Sequence, residues 1–218
     1  MIVGYWDVRG VVEAIHLMLE YLDIKYERKV YKYTVNKENW RNTDKSHLGL
    51  EYPNLPYIID GDYKLSEHMA ILKYLARKGG LLPKNEEEKI KLEIAEGAVL
   101  SFHIEFGFMT YFAYEQTKDQ YLESLPDKLA NFDKVLGQRE WLSGNQISYV
   151  DFKFAETLDH VELCFPGCLD QMVNVKKYKD KFESLERIAS YKKSDRFHKW
   201  PVHGTNAGWG GAKATEIN

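Results

Sequence analysis

Tyr52-Pro-Asn-Leu-Pro-Tyr-Ile-Ile-Asp60-Gly-Asp62 sets a Leu-Pro bond directly before a short apolar run and a glycine-centred turn. A backbone stretch held beside Pro56 offers its own N–H and C=O to an extended peptide, much as a sheet edge does. Near the N-terminus, Gly4-Tyr5-Trp6 closes another apolar run, and downstream Leu65-Ser-Glu-His-Met-Ala-Ile-Leu-Lys-Tyr-Leu-Ala-Arg77 opens a helix. Together these segments read as a site for a small peptide-like thiol. The two cysteines, Cys164 and Cys168, lie far along the chain, so chemistry near Tyr5 uses a thiol brought by a ligand, or none. Their spacing fits neither a redox Cys-x-x-Cys nor a zinc ligand set. They read as reduced, mostly buried thiols. None of the seven histidines forms a His-x-x-x-His pair, so no metal is expected.

The elements that must position these groups follow from periodicity. Residues 2–6 suit a strand, and Val11, Val12, Ala14, Ile15, Met18, Leu19 and Leu22 recur at helical spacing. Tyr26 to Val35 suits a second strand, parallel to the first across the crossover. A polar segment runs from Asn36 to Ser46. Tyr57-Ile-Ile and Tyr63-Lys-Leu flank Asp60-Gly-Asp62 as a hairpin. Ser66 is expected to cap the next helix, which stops at Gly79-Gly80. The order β-α-β-β-β-α predicts an α/β thioredoxin-like N-terminal domain over residues 1–78. Residues 79–85 read as a linker, with Asn85 as an N-cap ahead of three glutamates. Residues 86–218 read as an all-α C-terminal domain, with helices near 86–115, 119–136, 151–164, 175–188 and 189–196. Ser148-Tyr-Val-Asp151 matches a capping box, and the glycine-rich tail is expected to fray beyond Lys213.

Composition narrows the class. The chain has 218 residues, 44% of them hydrophobic, enough for one large or two small domains. A net charge of -3 gives no electrostatic case for nucleic acid or an anionic membrane. No apolar run approaches the roughly 20 residues of a membrane span, and no secretory signal is visible. A cytoplasmic protein is expected.

Gly4-Tyr-Trp-Asp-Val-Arg-Gly10, Leu48-Gly-Leu-Glu-Tyr-Pro-Asn-Leu-Pro-Tyr57, Ala70-Ile-Leu-Lys-Tyr-Leu-Ala-Arg-Lys78, Tyr149-Val-Asp-Phe152 and Phe197-His-Lys-Trp-Pro201 closely resemble mu-class cytosolic glutathione transferases. The resemblance covers nearly the whole chain. It implies glutathione as co-substrate, a hydrophobic electrophile as second substrate, and a homodimer in which Tyr52 plugs into the partner subunit. It matches Tyr5 to the tyrosine that donates its O–H to the glutathione sulfur. Trp6, Trp40 and Lys45 resemble the groups around the glycine end of glutathione. Asn54 and Leu55 resemble the loop that pairs with its cysteinyl residue. Val11 stands where leucine often lies beside the thiol, and Tyr111 resembles a hydroxyl donor facing the second substrate.

The pattern breaks at the γ-glutamyl clamp. The usual Gln-Ser pair is Glu67-His68 here. The backbone N–H of His68 still opens a helix, a ready anion site. Glu67 is expected to face the γ-glutamyl ammonium, or to repel the carboxylate, and a protonated His68 to assist binding. Ser101 occupies the position where some relatives place an aspartate across the dimer, and Ala14 and His16 replace a proline and an arginine in the first helix. Conjugation of the glutathione thiolate to electrophilic carbon is the leading function. A weakly active or inactive ligand-binding or structural member of the fold is the second, and a glutathione-dependent isomerase or peroxidase the third.

Overall fold

The computed structural model describes residues 1–33 and 38–211. The expected ends of two segments, at Thr34–Val35 and beyond Lys213, lie outside the described residues.

The first layer runs β1 (Ile2–Trp6), α1 (Glu13–Tyr21), β2 (Glu27–Tyr31), α2 (Glu38–Arg41), β3 (Tyr57–Asp60), β4 (Tyr63–Ser66) and α3 (His68–Gly79). The sheet order is β2-β1-β3-β4. β1 and β2 are parallel, as the crossover requires, with Tyr5 opposite Val30. β3 is antiparallel to both β1 and β4, and Asp60 pairs with Tyr63 across the hairpin turn at Gly61. The short α2 lies in the segment read only as polar.

Ser66 does not cap α3. It belongs to β4, and its hydroxyl donates to the Tyr52 carbonyl. Glu67 takes the cap position instead, at φ 68°, and no side chain bonds the first turn. Gly80 ends α3 in the left-handed conformation that glycine adopts without a Cβ clash.

The second layer is helical: α4 (Glu86–Phe112), α5 (Tyr114–Leu136), α6 (Tyr149–Cys164), α7 (Val173–Ser184) and α8 (Glu186–Lys192). Asn85 caps α4 by accepting from the Glu88 N–H at 2.8 Å. α6 is the central helix, with 13 of its residues buried, and it packs on α1, α3, α4 and α7. Asp151 fixes its start, accepting from the backbone N–H of Ser148 at 2.8 Å and of Leu142 at 3.0 Å, and from the Tyr178 hydroxyl at 3.2 Å. Burial raises the pKa of Asp151, and these donors oppose the shift.

The two layers share one core, in which Val3, Ile15, Met18, Ile71 and Leu75 meet Phe102, Phe152 and Leu158. A fully buried Arg9 bolts the layers together. Its Nε and Nη2 donate to the two oxygens of Glu156, each at 2.7 Å, and Nη2 also reaches Asp159. A smaller cluster of Tyr31, Trp40, Leu50, Leu55 and Tyr57 closes the outer face of the sheet.

Candidate functional site

Tyr5 stands near the end of β1, where the chain leaves the sheet for the loop into α1. The loop doubles back over its ring. Gly10 sits at φ +42°, and a Cβ there would lie 2.6 Å from the Tyr5 hydroxyl oxygen. Glycine is required on both counts, conformation and space. The Val11 N–H donates to the same oxygen across 3.4 Å. The hydroxyl proton has no acceptor among the described residues, and it stays on: burial first, then the neighbouring Tyr111 and Tyr33 hydroxyls, push the phenol pKa above its ordinary value. The result is a neutral, half-buried O–H donor whose oxygen is already fed by a backbone N–H. Such a group hydrogen-bonds an anion without surrendering its proton.

The other expected residues fall into three places. Around the loop before β3, Leu55 is buried and joined to Pro56 by a cis bond. The exposed Asn54 donates to Glu67 Oε1 at 2.8 Å, which holds the carboxylate beside the first turn of α3. His68 begins α3, so its N–H faces out of the helix end. Its side chain does not share that direction. Nε2 is buried without a partner, and the ring lies 6.5 Å from the ring of His103 on α4. Burial and the positive Lys153 bring its pKa down to about 3. Burial thus favours the neutral form of the ring, against the protonated form expected to assist binding, while the backbone N–H remains free to face the end of the helix.

Trp6 packs edge-on against Tyr33 and Tyr31, at 5.4 and 6.4 Å between ring centres. Trp40 is a core residue, 4% exposed and stacked on Tyr57 at 5.8 Å. Lys45 is exposed, and its N–H caps the turn after α2 by bonding the Trp40 carbonyl at 3.1 Å. Tyr111 comes from α4 in the other layer. Its hydroxyl accepts from the Gly204 N–H at 3.3 Å, and its ring rests on His203 at 4.8 Å.

Two expected alterations lie elsewhere. His16 is buried on α1, with Nδ1 3.0 Å from Glu13 and its ring stacked on Tyr26 at 5.3 Å. Ala14 is a core residue. Both changes in the first helix are thus buried ones. Ser101 is exposed on α4, at a groove of about 450 Å³ between α4 and α5 that also contains Ile94, Ala98 and Phe102.

Sequence reasoning missed Tyr33, whose backbone N–H is held by Asp7 at 2.6 Å and whose hydroxyl reaches Asn206 at 2.8 Å. It also missed Lys153 and His203. A lysine between Phe152 and Phe154 in an apolar helix was the available signal for the first.

A thioredoxin-like sheet, a tyrosine donor near the end of its first strand, a cis-proline loop, an open helix start and a helical second layer define the two-domain class that binds glutathione on its first layer. The family model described as glutathione S-transferase, N-terminal domain, matches residues 1–77, and that described as glutathione S-transferase, C-terminal domain, matches residues 101–195. Glutathione S-transferase Mu 1 of Homo sapiens is 44% identical over 217 residues, covering 96% of this chain and 98% of its own. Glutathione S-transferase Mu 2 of Mus musculus is 41% identical, with the same coverage. Among solved structures, the glutathione S-transferase Blo t 8 superposes with a TM-score of 0.89 at 31% identity, over 96% of this chain and 100% of that one. A pi-class glutathione S-transferase of Onchocerca volvulus superposes with a TM-score of 0.83 at 30% identity, over 94% and 98%. The chain belongs to the glutathione S-transferase family, and its relatives include mu-class members.

Proposed function

We propose that the protein conjugates the thiolate of glutathione to hydrophobic electrophiles, with Tyr5 as the donor to sulfur. The Tyr5 hydroxyl, protonated and pinned between Gly10 and the Val11 N–H, carries this reading. A free thiol has a pKa near 8.5, and lowering it by about two units takes roughly 2.7 kcal/mol of preference for the thiolate. One hydrogen bond to a charged group supplies about 1.5–3 kcal/mol. Glutathione then lies extended from the His68 N–H, along Leu55 and Asn54, toward Trp6, Trp40 and Lys45. The electrophile enters beside Tyr111, whose hydroxyl can donate to developing negative charge.

The family's two-fold assembly has support here as well. Tyr52 is 71% exposed on the loop before β3, a large aromatic projecting from the first layer. The groove between α4 and α5 offers an apolar receptor of suitable size. An isologous dimer would seat each Tyr52 in the partner's groove. Two free cysteines and no disulfide among the described residues fit a cytosolic site of action.

Glu67 favours a weaker enzyme as the second reading, since its carboxylate stays beside the anion-binding end of α3. Retention on immobilised glutathione and a chlorodinitrobenzene conjugation assay test both. Turnover that Tyr5→Phe reduces supports the first reading. Retention without turnover supports the second. Neither retention nor turnover rejects both.

A further inference from the structure

After α8 the chain returns across both layers. The Pro201 and Val202 carbonyls accept from the Arg9 and Gly10 N–H groups, each at 2.8 Å, so the returning segment lies along the loop that covers Tyr5. It then makes a closed loop of its own. The Ala207 N–H turns back to the Gly204 carbonyl at 3.0 Å, the His203 N–H takes the Gly210 carbonyl at 2.8 Å, and the Trp209 N–H takes the Thr110 carbonyl on α4 at 3.0 Å. Gly204 is a buried point of that loop. On one side its N–H meets the Tyr111 hydroxyl of the second layer at 3.3 Å. On the other it lies against the Tyr33 ring of the first layer, where a Cβ at position 204 would come within 2.3 Å of Cζ. Tyr33 reaches past Gly204, and its hydroxyl donates to Asn206 Oδ1 at 2.8 Å, at the surface. Tyr33 is itself held in place, by the Asp7 carboxylate on its N–H at 2.6 Å and by the Trp6 ring at 5.4 Å. Tyr111 and Tyr33 are also the two phenols whose fields reach the Tyr5 hydroxyl.

We propose that Tyr33 is a specificity-determining residue: with Gly204 and Asn206 it closes the outer end of the second-substrate site and limits the length of electrophile that fits beside the sulfur. The inference rests on the glutathione reading of Tyr5. A group bonded to a sulfur held by the Tyr5 hydroxyl extends beside Tyr111, and the contact from Tyr33 through Gly204 to Asn206 crosses beyond it. A ring set against a glycine leaves no side chain at position 204 to swing aside. The wall therefore yields only when the Tyr33 to Asn206 bond opens and the loop from 204 to 209 moves. A compact electrophile with an oxygen acceptor for Tyr111 leaves that bond intact. A long aliphatic chain has to break it, and the loss offsets the gain from burying its outer methylenes.

S-alkylglutathiones carry the test without chemistry, since the alkyl group occupies the place of the electrophile. Calorimetry gives dissociation constants for S-methyl-, S-butyl-, S-hexyl- and S-octylglutathione. An unobstructed apolar site gains about four-fold in affinity per buried methylene. In the wild type the gain is expected to fall below about two-fold per methylene before the series reaches S-octyl. Tyr33→Ala removes the wall, and the ratio of S-octyl to S-butyl affinity should rise by roughly ten-fold or more. Tyr33→Phe and Asn206→Ala keep the ring or the backbone and lose the hydrogen bond. Each should raise the same ratio by about two- to five-fold, and the two together no further than one alone. The ratio cancels any change in how the peptide part is held, so a general loosening of the site does not move it. Circular dichroism confirms that each variant is folded; should Tyr33→Ala unfold, the other two variants decide. A ratio in the folded variants no higher than in the wild type would overturn the inference while leaving glutathione binding intact. So would a wild-type affinity that climbs undiminished through S-octyl. Failure of the wild type to bind any member of the series would overturn the glutathione reading, and the inference with it.

Discussion

At the scale of single residues, the site turns on a phenol that keeps its proton. Replacing Tyr5 by Phe removes the donor, and with it the long contact from the Val11 N–H, while the ring keeps its place against Gly10. Loss of about 1.5–3 kcal/mol of thiolate stabilisation predicts a fall in turnover of roughly ten- to a hundred-fold at neutral pH. Glutathione affinity should change far less. Separate kcat and KM measurements check this, and a variant retaining most of its turnover would remove Tyr5 from the chemistry. Gly10→Ala should be worse for binding and stability together, since the methyl group meets the Tyr5 hydroxyl in a backbone conformation that alanine disfavours. Glu67→Gln removes a charge beside an anion site, while its side-chain oxygen can still accept from Asn54. Glutathione is expected to bind it more tightly, by a few-fold. Unchanged affinity would show that solvent screens the Glu67 charge.

At the scale of elements, the start of α6 is the point on which the second layer depends. Asp151 satisfies the Leu142 and Ser148 N–H groups and the Tyr178 hydroxyl inside a core that water does not reach. Asp151→Ala strands the Leu142 and Ser148 N–H groups, each costing about 1–3 kcal/mol when buried unpaired, while the Tyr178 hydroxyl keeps the carbonyl of residue 151 at 3.0 Å. A loss of roughly 2 kcal/mol or more is expected, read as a lower urea midpoint at unchanged slope. A midpoint within a few tenths of molar of the wild type would mean that the ends of α6 rearrange to satisfy those groups. The capping box was legible in the sequence because the Ser-x-x-Asp spacing is set by helix geometry alone. The cap of α3 was not. Ser66 has the right chemistry, but β4 pairing with Tyr57 and the Tyr52 carbonyl claim it first.

At the scale of the whole molecule, two layers share a core lined with histidines held neutral. His68 and His203 are brought down to about 3 and His103 is lowered well below its ordinary value, in each case chiefly by burial. In the unfolded chain these groups titrate near 6.5. Between pH 6.5 and 5 the unfolded state therefore binds more protons, so stability falls as pH falls. The slope is about 1.4 kcal/mol per pH unit for each such histidine. Urea unfolding at intervals across that window measures it, and a flat profile would show that the rings reach solvent. Assembly belongs to this scale too. Tyr52→Ala should weaken the dimer by about 2 kcal/mol, roughly thirty-fold in dissociation constant. An unchanged constant in sedimentation would remove Tyr52 as an anchor, and a micromolar monomer in the wild type would reject the dimer.

The amino-acid sequence determined what local rules and a resemblance carried by whole motifs can determine. The order of strands and helices, the parallel crossover, the hairpin at Gly61, the caps at Asn85 and Ser148 and the candidate role of Tyr5 all follow from short-range spacing or from contiguous matches. Tertiary structure decided whatever depends on which groups meet across the layers. The direction of the His68 ring is such a case, and within the first layer the burial of Trp40 against Tyr57 and of His16 against Tyr26 is decided in the same way. Charge and protonation in a dry interior are properties of the surroundings, and those surroundings come from other elements of the fold: His68 on α3 meets His103 on α4 and the field of Lys153 on α6. Arg9 takes Glu156 from 147 positions away and so ties the first layer to the second.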